Sequence, residues 1–312
     1  MNFFLRYLLS FIGVGFACLF APIATAWHLE AGQASTNDTF VNPAFRTITF
    51  QQPFDTIPVV VVLATNVGSN PASIRVRNIT LTGFDAAVVE PQKIDAPENG
   101  EHESMTFDYI AIETGIHSLP NGDIIAAGIR ATTNIQASTT PGLVFTSPGS
   151  AEGWDRVSFG TTFSSNASVV AQIQTMNSES GTPPASFSQP FLTVAMQIPT
   201  TTFVNMALER SQAAAGIVVS EDIGWIAFPS GRTGSFVDTT SQTVSWDSRA
   251  TPATIIGWGT CTLQTFSGIN WANARVVATK NTRTGDDGGW LRRCSKSGTQ
   301  IGLLVDEDTA FD

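Results

Sequence analysis

Residues Ser104–Gly122 read SMTFDYIAIETGIHSLPNG, and Ser220–Gly231 read SEDIGWIAFPSG. Both stretches run from a polar start through an aromatic-Ile-Ala core to a Pro-x-Gly turn. Alternating aromatic and β-branched residues bounded by turn formers mark strands. A strand that recurs with its turn marks a repeated β unit.

The repeat extends outward from these stretches. Phe84–Glu90 (FDAAVVE) matches Phe203–Glu209 (FVNMALE) at an offset of 119 residues, and Trp225 stands where Tyr109 stood. Val157–Asn177 echoes Ile48–Asn66. A third copy lies in the last forty residues: Arg275–Asn281 is its apolar strand, Trp290–Cys294 its alternating strand, and Ile301–Glu307 a strand ending in a carboxylate. The aromatic-Ile-Ala strand that closes copies one and two has no counterpart before Asp312. The third unit is therefore expected to lack its closing strand, to expose an apolar face and an unpaired edge, and to belong to a longer protein.

Within each unit the strand signals are dense. Ile57–Thr65 (IPVVVVLAT) is a continuous β-branched run, as in a central strand buried on both faces. Ser73–Ile79 alternates Ile74 and Val76 with Arg75 and Arg77, the mark of a strand with one wet face. Turn residues cluster at Gly68–Pro71 and Asp95–Gly100. About five to seven strands in roughly 90 residues is the spacing of an antiparallel sandwich. The expected fold is all-β, a tandem of antiparallel β-sandwiches over 27–146 and 147–240, with a truncated third over 241–312.

Composition agrees with an extracellular β protein. Of 312 residues only 13% are charged, and the formal net charge is -10. An acidic chain is ill suited to nucleic acid, whose phosphates require Lys and Arg. Residues 1–26 combine one early cation (Arg6), an apolar run from Tyr7 to Phe20 and a small-x-small ending at Ala24-Thr25-Ala26, which reads as a signal peptide. The chain is accordingly expected to be secreted or displayed on a bacterial cell surface. Beyond that segment only Cys261 and Cys294 remain, and in an oxidising compartment they are expected to pair.

The order Leu29–Gly32 (LEAG), ITFQQPF, IPVVVVL, IRVRNITLTGF and FDYIAIE resembles the H-type lectin domain family. That resemblance implies a six-stranded sandwich that often trimerises and binds galactose-type sugars at subunit junctions, so surface glycans and a homo-oligomer are the partners it implies. The family's sugar contacts correspond here to Asn66, Arg75 and His102. Ser69–Ala72, Asp287–Ser295 and Val305–Ala310 are in addition similar to segments of the MshQ family of pilus biogenesis proteins, large exported proteins of a type IV pilus cluster, which implies pilus or envelope partners.

Catalysis has little support in the sequence. Its three histidines are His28, His102 and His117, with no Gly-x-Ser-x-Gly elbow and no His pair at metal spacing. Acid pairs such as Glu101/Glu103 or Asp306/Glu307 read as solvated strand ends. Asp286 and Asp287 offer hard oxygen ligands for Ca2+, though without the fixed spacing of an EF-hand, and acidic solubilising loops are the ordinary account of them. The repeated aromatics Phe84/Phe203 and Tyr109/Trp225 read as core. Two functions remain: an exported adhesion or carbohydrate-binding module, and a structural spacer or pilus-assembly protein with no ligand site.

Overall fold

A computed structural model describes residues 27–39, 41–42, 44–68, 70–91, 102–136, 153–179, 191–210, 219–255, 257, 260–266, 272–283 and 289–307. The signal-peptide segment, Asp286 and Asp287 lie outside the described residues. Every helix or strand among the described residues is a strand, as the alternation requires.

The first sandwich has two three-stranded antiparallel sheets. One holds β1 (Leu29–Ser35), β6 (Thr106–Ile112) and β3 (Val59–Ala64) in the order β1-β6-β3; the other holds β2 (Arg46–Thr49), β5 (Gly83–Val89) and β4 (Ser73–Arg77) in the order β2-β5-β4. Their facing sides bury Phe50, Phe84, Phe107 and Tyr109 among aliphatic residues. Each ring contributes roughly 2–3 kcal/mol by leaving water.

The second sandwich repeats this plan. Its first sheet has the order β11 (Ala167–Ile173), β14 (Glu221–Pro229), β8 (Ile124–Thr132), β7 (Gly115–Ser118). Its second has the order β10 (Asp155–Ser158), β13 (Phe203–Arg210), β12 (Leu192–Met196), with β9 (Ile135–Gln136) parallel to β13. The hairpin β7–β8 thus belongs with strands beyond residue 147 rather than with residues 27–146. The reason is edge availability: β6 is already paired along both edges, by β1 and β3, whereas β14 has an edge for β8. In the same way the hairpin β15 (Arg232–Val237) with β16 (Thr243–Ser248) opens the third unit. That unit adds one sheet in the order β17 (Thr262–Thr265), β19 (Gln300–Asp306), β18 (Trp290–Lys296). Arg275–Asn281, expected as its apolar strand, joins no ladder among the described residues.

Backbone bonds fix the phase of the three copies. Phe50 N, Phe159 N and Phe266 N donate to Thr82 O, Thr202 O and Thr299 O at 2.9, 2.9 and 3.0 Å. The turn bonds Thr80 N to Gly83 O, Thr200 N to Phe203 O and Ser297 N to Gln300 O recur likewise. Gly83 therefore corresponds to Phe203, and Phe84 to Val204, so matching Phe84 with Phe203 is one residue out of register. A one-residue slip moves a side chain to the other face. Phe84 is in the core, whereas Phe203 lies under the Arg156 guanidinium, 3.6 Å from its carbon to the ring centre. The two Pro-x-Gly turns also fall at different places: Gly122 (φ 83°) lies between β7 and β8, and Gly231 (φ 72°) between β14 and β15.

The outer faces of the first sheets meet in a further core shared by all three units. Leu29, Val59, Val61 and Ile112 of the first unit pack there with Ile125, Ile226 and Phe228 of the second and Phe236 and Trp246 of the third. This explains the unbroken β-branched run of β3. It is an edge strand of its sheet, yet Val60 and Val62 face its own sandwich while Val59 and Val61 face the shared core. All six of its residues are buried as a result.

The expected disulfide is present. Cys261 and Cys294 are bonded with Cα atoms 5.9 Å apart, closing a 33-residue separation, for which loop entropy gives roughly 3–4 kcal/mol. The bond sits at the β18 bulge between Arg293 and Ser295 and crosses Gly302, where an added Cβ would lie 2.5 Å from Cys261 Sγ.

Candidate functional site

Equivalent arginines make two of the three head-to-tail junctions between the units. The register pairs Arg75 with Ala87, Ala195 with Ala207 and Arg292 with Leu304, so Arg75, Ala195 and Arg292 hold one position on the outer face of the second sheet. Arg75 reaches from the first unit into the second, donating to Leu192 O at 2.7 Å and Thr175 O at 3.2 Å beside Glu179 at 3.4 Å. Arg292 reaches from the third unit into the first, donating to Thr65 O, Val67 O and Asn70 O at 3.3, 2.5 and 3.1 Å. It also pairs with Asp306 at 2.7 Å. Each guanidinium has a planar fork of donors suited to several carbonyls at once. Between the second and third units, where alanine replaces arginine, the ion pair Glu209–Arg283 at 3.0 Å makes the connection.

Arg75 is thus 1% exposed and committed to the next unit, not cross-strand on a wet face. Alternation showed that Arg75 and Arg77 share a face; it carried no sign of what covers that face. Ala195 holds the equivalent position in the second copy, between Val194 and Met196 of its core.

Glu179 beside Arg75 is completely enclosed. Burial pushes its carboxyl up to about 7, with Glu221 adding to the rise while Arg75 and the Leu192 amide oppose it. A carboxyl raised in the folded state stabilises fully below its unfolded value near 4.5, and that contribution is lost as pH rises through about 7. Between pH 5 and pH 8 the native protein is expected to lose stability on the order of 3 kcal/mol more than Glu179→Gln, read from urea midpoints.

Asn66 and His102 lie at the junction of the first and third units. Asn66 follows β3 and is exposed, and its backbone N–H donates to Arg293 O at 2.9 Å. His102 is 3% exposed, donating from Nδ1 to Glu103 O at 2.7 Å, with Nε2 4.0 Å from Glu90. Burial holds its imidazole below the ordinary value, Arg292 adding to the effect against the Glu103 carbonyl bond. His102 lies under Gly68 (φ 79°), where an added Cβ would come within 2.6 Å of Nε2. The loop Thr65–Asn70 is therefore gripped from within by Arg292, supported by His102, and open to solvent at Asn66. An amide on a pinned loop can exchange hydrogen bonds with hydroxyls at little entropic cost. Of the three expected contact residues, this geometry leaves Asn66 facing solvent.

A family model fixes the likeness. Residues 45–112 match the H-type lectin domain. The match spans β2 to β6 and includes the Thr65–Asn70 loop. No curated protein matches the chain, and no solved structure does. At family level the H-type lectin domain is associated with carbohydrate binding, and Arg292, which sequence reasoning missed, holds the loop of that domain from another unit. The available signal was the Leu291-Arg292 pair, visible only once it is set in register with Ile74-Arg75.

Proposed function

We propose that the protein is an exported, cell-surface adhesion or carbohydrate-binding protein that contacts glycans of the galactose type through the Thr65–Asn70 loop. The observation carrying this reading is the H-type lectin match over residues 45–112, which contains that loop. Asn66 is the amide presented to hydroxyls; His102 and Arg292 position the loop. Association with a pilus or envelope is the setting that the pilus-biogenesis resemblance supports.

A structural role is the second reading. It is favoured by Arg75 and Arg292, which fill two of the three inter-unit junctions with protein contacts. Retention on galactose resin, followed by a glycan array, separates the two. The native chain is expected to be retained and Asn66→Ala to lose at least tenfold in affinity with an unchanged melting temperature. A folded native chain that binds no glycan supports the spacer reading instead.

A further inference from the structure

In the first and second sandwiches the middle strand of the first sheet is β6, between β1 and β3, or β14, between β8 and β11. The third sandwich has both flanking pieces. The hairpin pair Gly234↔Trp246 repeats Gly115↔Ala127, so β16 stands in the place of β8. Val277 faces the shared core as Val61 and Val170 do, so residues 274–280 stand in the place of β3 and β11. Between them lies a cleft of about 510 Å³. Ser245, Asp247 and Arg249 line one wall, Val276 and Ala278 the other, and Ile301 and Leu303 the floor. Among the described residues β16 pairs only with β15, and residues 274–280 are in no ladder.

We propose that this cleft accepts an extended strand of a partner polypeptide, antiparallel to β16, which completes the third sandwich. Two facing backbone edges over an apolar floor suit a peptide whose N–H and C=O groups serve both edges, as the middle strand of a sheet does at about 4.8 Å from each neighbour. The sibling units show the occupant's form, because β6 and β14 fill the same place. A second copy of this chain cannot lend either strand without unfolding, since both are paired along both edges.

Register also defines the strand's chemistry. β14 sets Ile223 between Arg130 and Ile173, Trp225 between Gly128 and Ala171, and Ala227 between Ala126 and Val169. The corresponding places in the third sandwich lie between Arg249 and Lys280, between Asp247 and Ala278, and between Ser245 and Val276. At the middle place the siblings have a glycine over which the ring lies. A Cβ on Gly128 would come within 2.7 Å of Trp225, and one on Gly32 would run into Tyr109. Asp247 carries that Cβ. The incoming strand therefore alternates apolar residues as β6 and β14 do, but has a small or aliphatic residue where they have Tyr and Trp.

The test uses two fluorescent synthetic peptides added to the full chain: the β14 sequence Glu221–Pro229, and the same peptide with Trp225→Val. The valine peptide is expected to bind saturably, at least fivefold tighter than its tryptophan parent by anisotropy. It is also expected to slow amide exchange in β16 and residues 274–280. Ala278→Phe, which narrows the cleft, is expected to abolish binding. Lack of saturable binding, preference for the tryptophan peptide, binding that survives Ala278→Phe, or protection located elsewhere would each overturn the proposal. So would a concentration-dependent dimer of the chain alone with the same protected amides.

Discussion

Replacing Arg292 by alanine is expected to lower the stability of the protein by about 3–5 kcal/mol, among the largest effects of any single substitution. The side chain is 1% exposed and serves four acceptors: the carbonyls of Thr65, Val67 and Asn70 and the Asp306 carboxylate. Alanine leaves a buried carboxylate without its countercharge and three carbonyls short of a donor, each a desolvation cost without return. Burial already raises the Asp306 carboxyl, and Arg292 opposes that rise. Without Arg292 the carboxyl rises further, so the loss is expected to be smaller at pH 5 than at pH 8. Arg292→Lys is expected to recover only part of the loss, since an ammonium cannot reproduce the planar fork. Urea denaturation of the three proteins at both pH values is the measurement.

Trp246→Ala is expected to cost about 3–5 kcal/mol by leaving a cavity in the shared core. Trp246 comes from the third unit and packs against Phe228 of the second, ring centres 5.9 Å apart. It occupies the position of Ala127 in the second hairpin, so the third unit supplies bulk where its sibling supplies a methyl group. Because the two rings share one core, Trp246→Ala and Phe228→Ala are expected to combine non-additively, with a coupling of about 0.5–3 kcal/mol. Additive losses would place the rings in independent cores.

The elements themselves were legible in the sequence. Alternation identified β4, the β-branched run identified β3, and the aromatic-Ile-Ala core identified β6 and β14. The cysteine pair was also readable, because it follows from counting residues. What covers the strands was not readable. Alternation assigns side chains to faces without naming the neighbour across the face, so Arg75 reads as a wet-face residue and β3 as a central strand. Both are explained by residues well over a hundred positions away, such as Leu192 O for Arg75 and Ile226 and Phe228 in the core that Val61 shares. Hairpin ownership failed for a related reason: β8 is adjacent in sequence to β6, but the edge open to it belongs to β14. Similarity of residue type also misled, since pairing Phe84 with Phe203 hides the slip that the turn bonds reveal. At the candidate site, Asn66 entered only as what the family resemblance implies, whereas Arg292 was hidden because it enters the loop from another unit.

Methyl-resolved NOE spectroscopy on protein labelled at Val and Ile addresses the central claim, that the three units close around one shared core. The Val59 and Val61 methyl groups of β3 are expected to show cross-peaks to the Ile226 methyl of the second unit and to ring protons of the third. Cross-peaks confined to the first unit's own residues would contradict the shared core and with it the head-to-tail arrangement of the units.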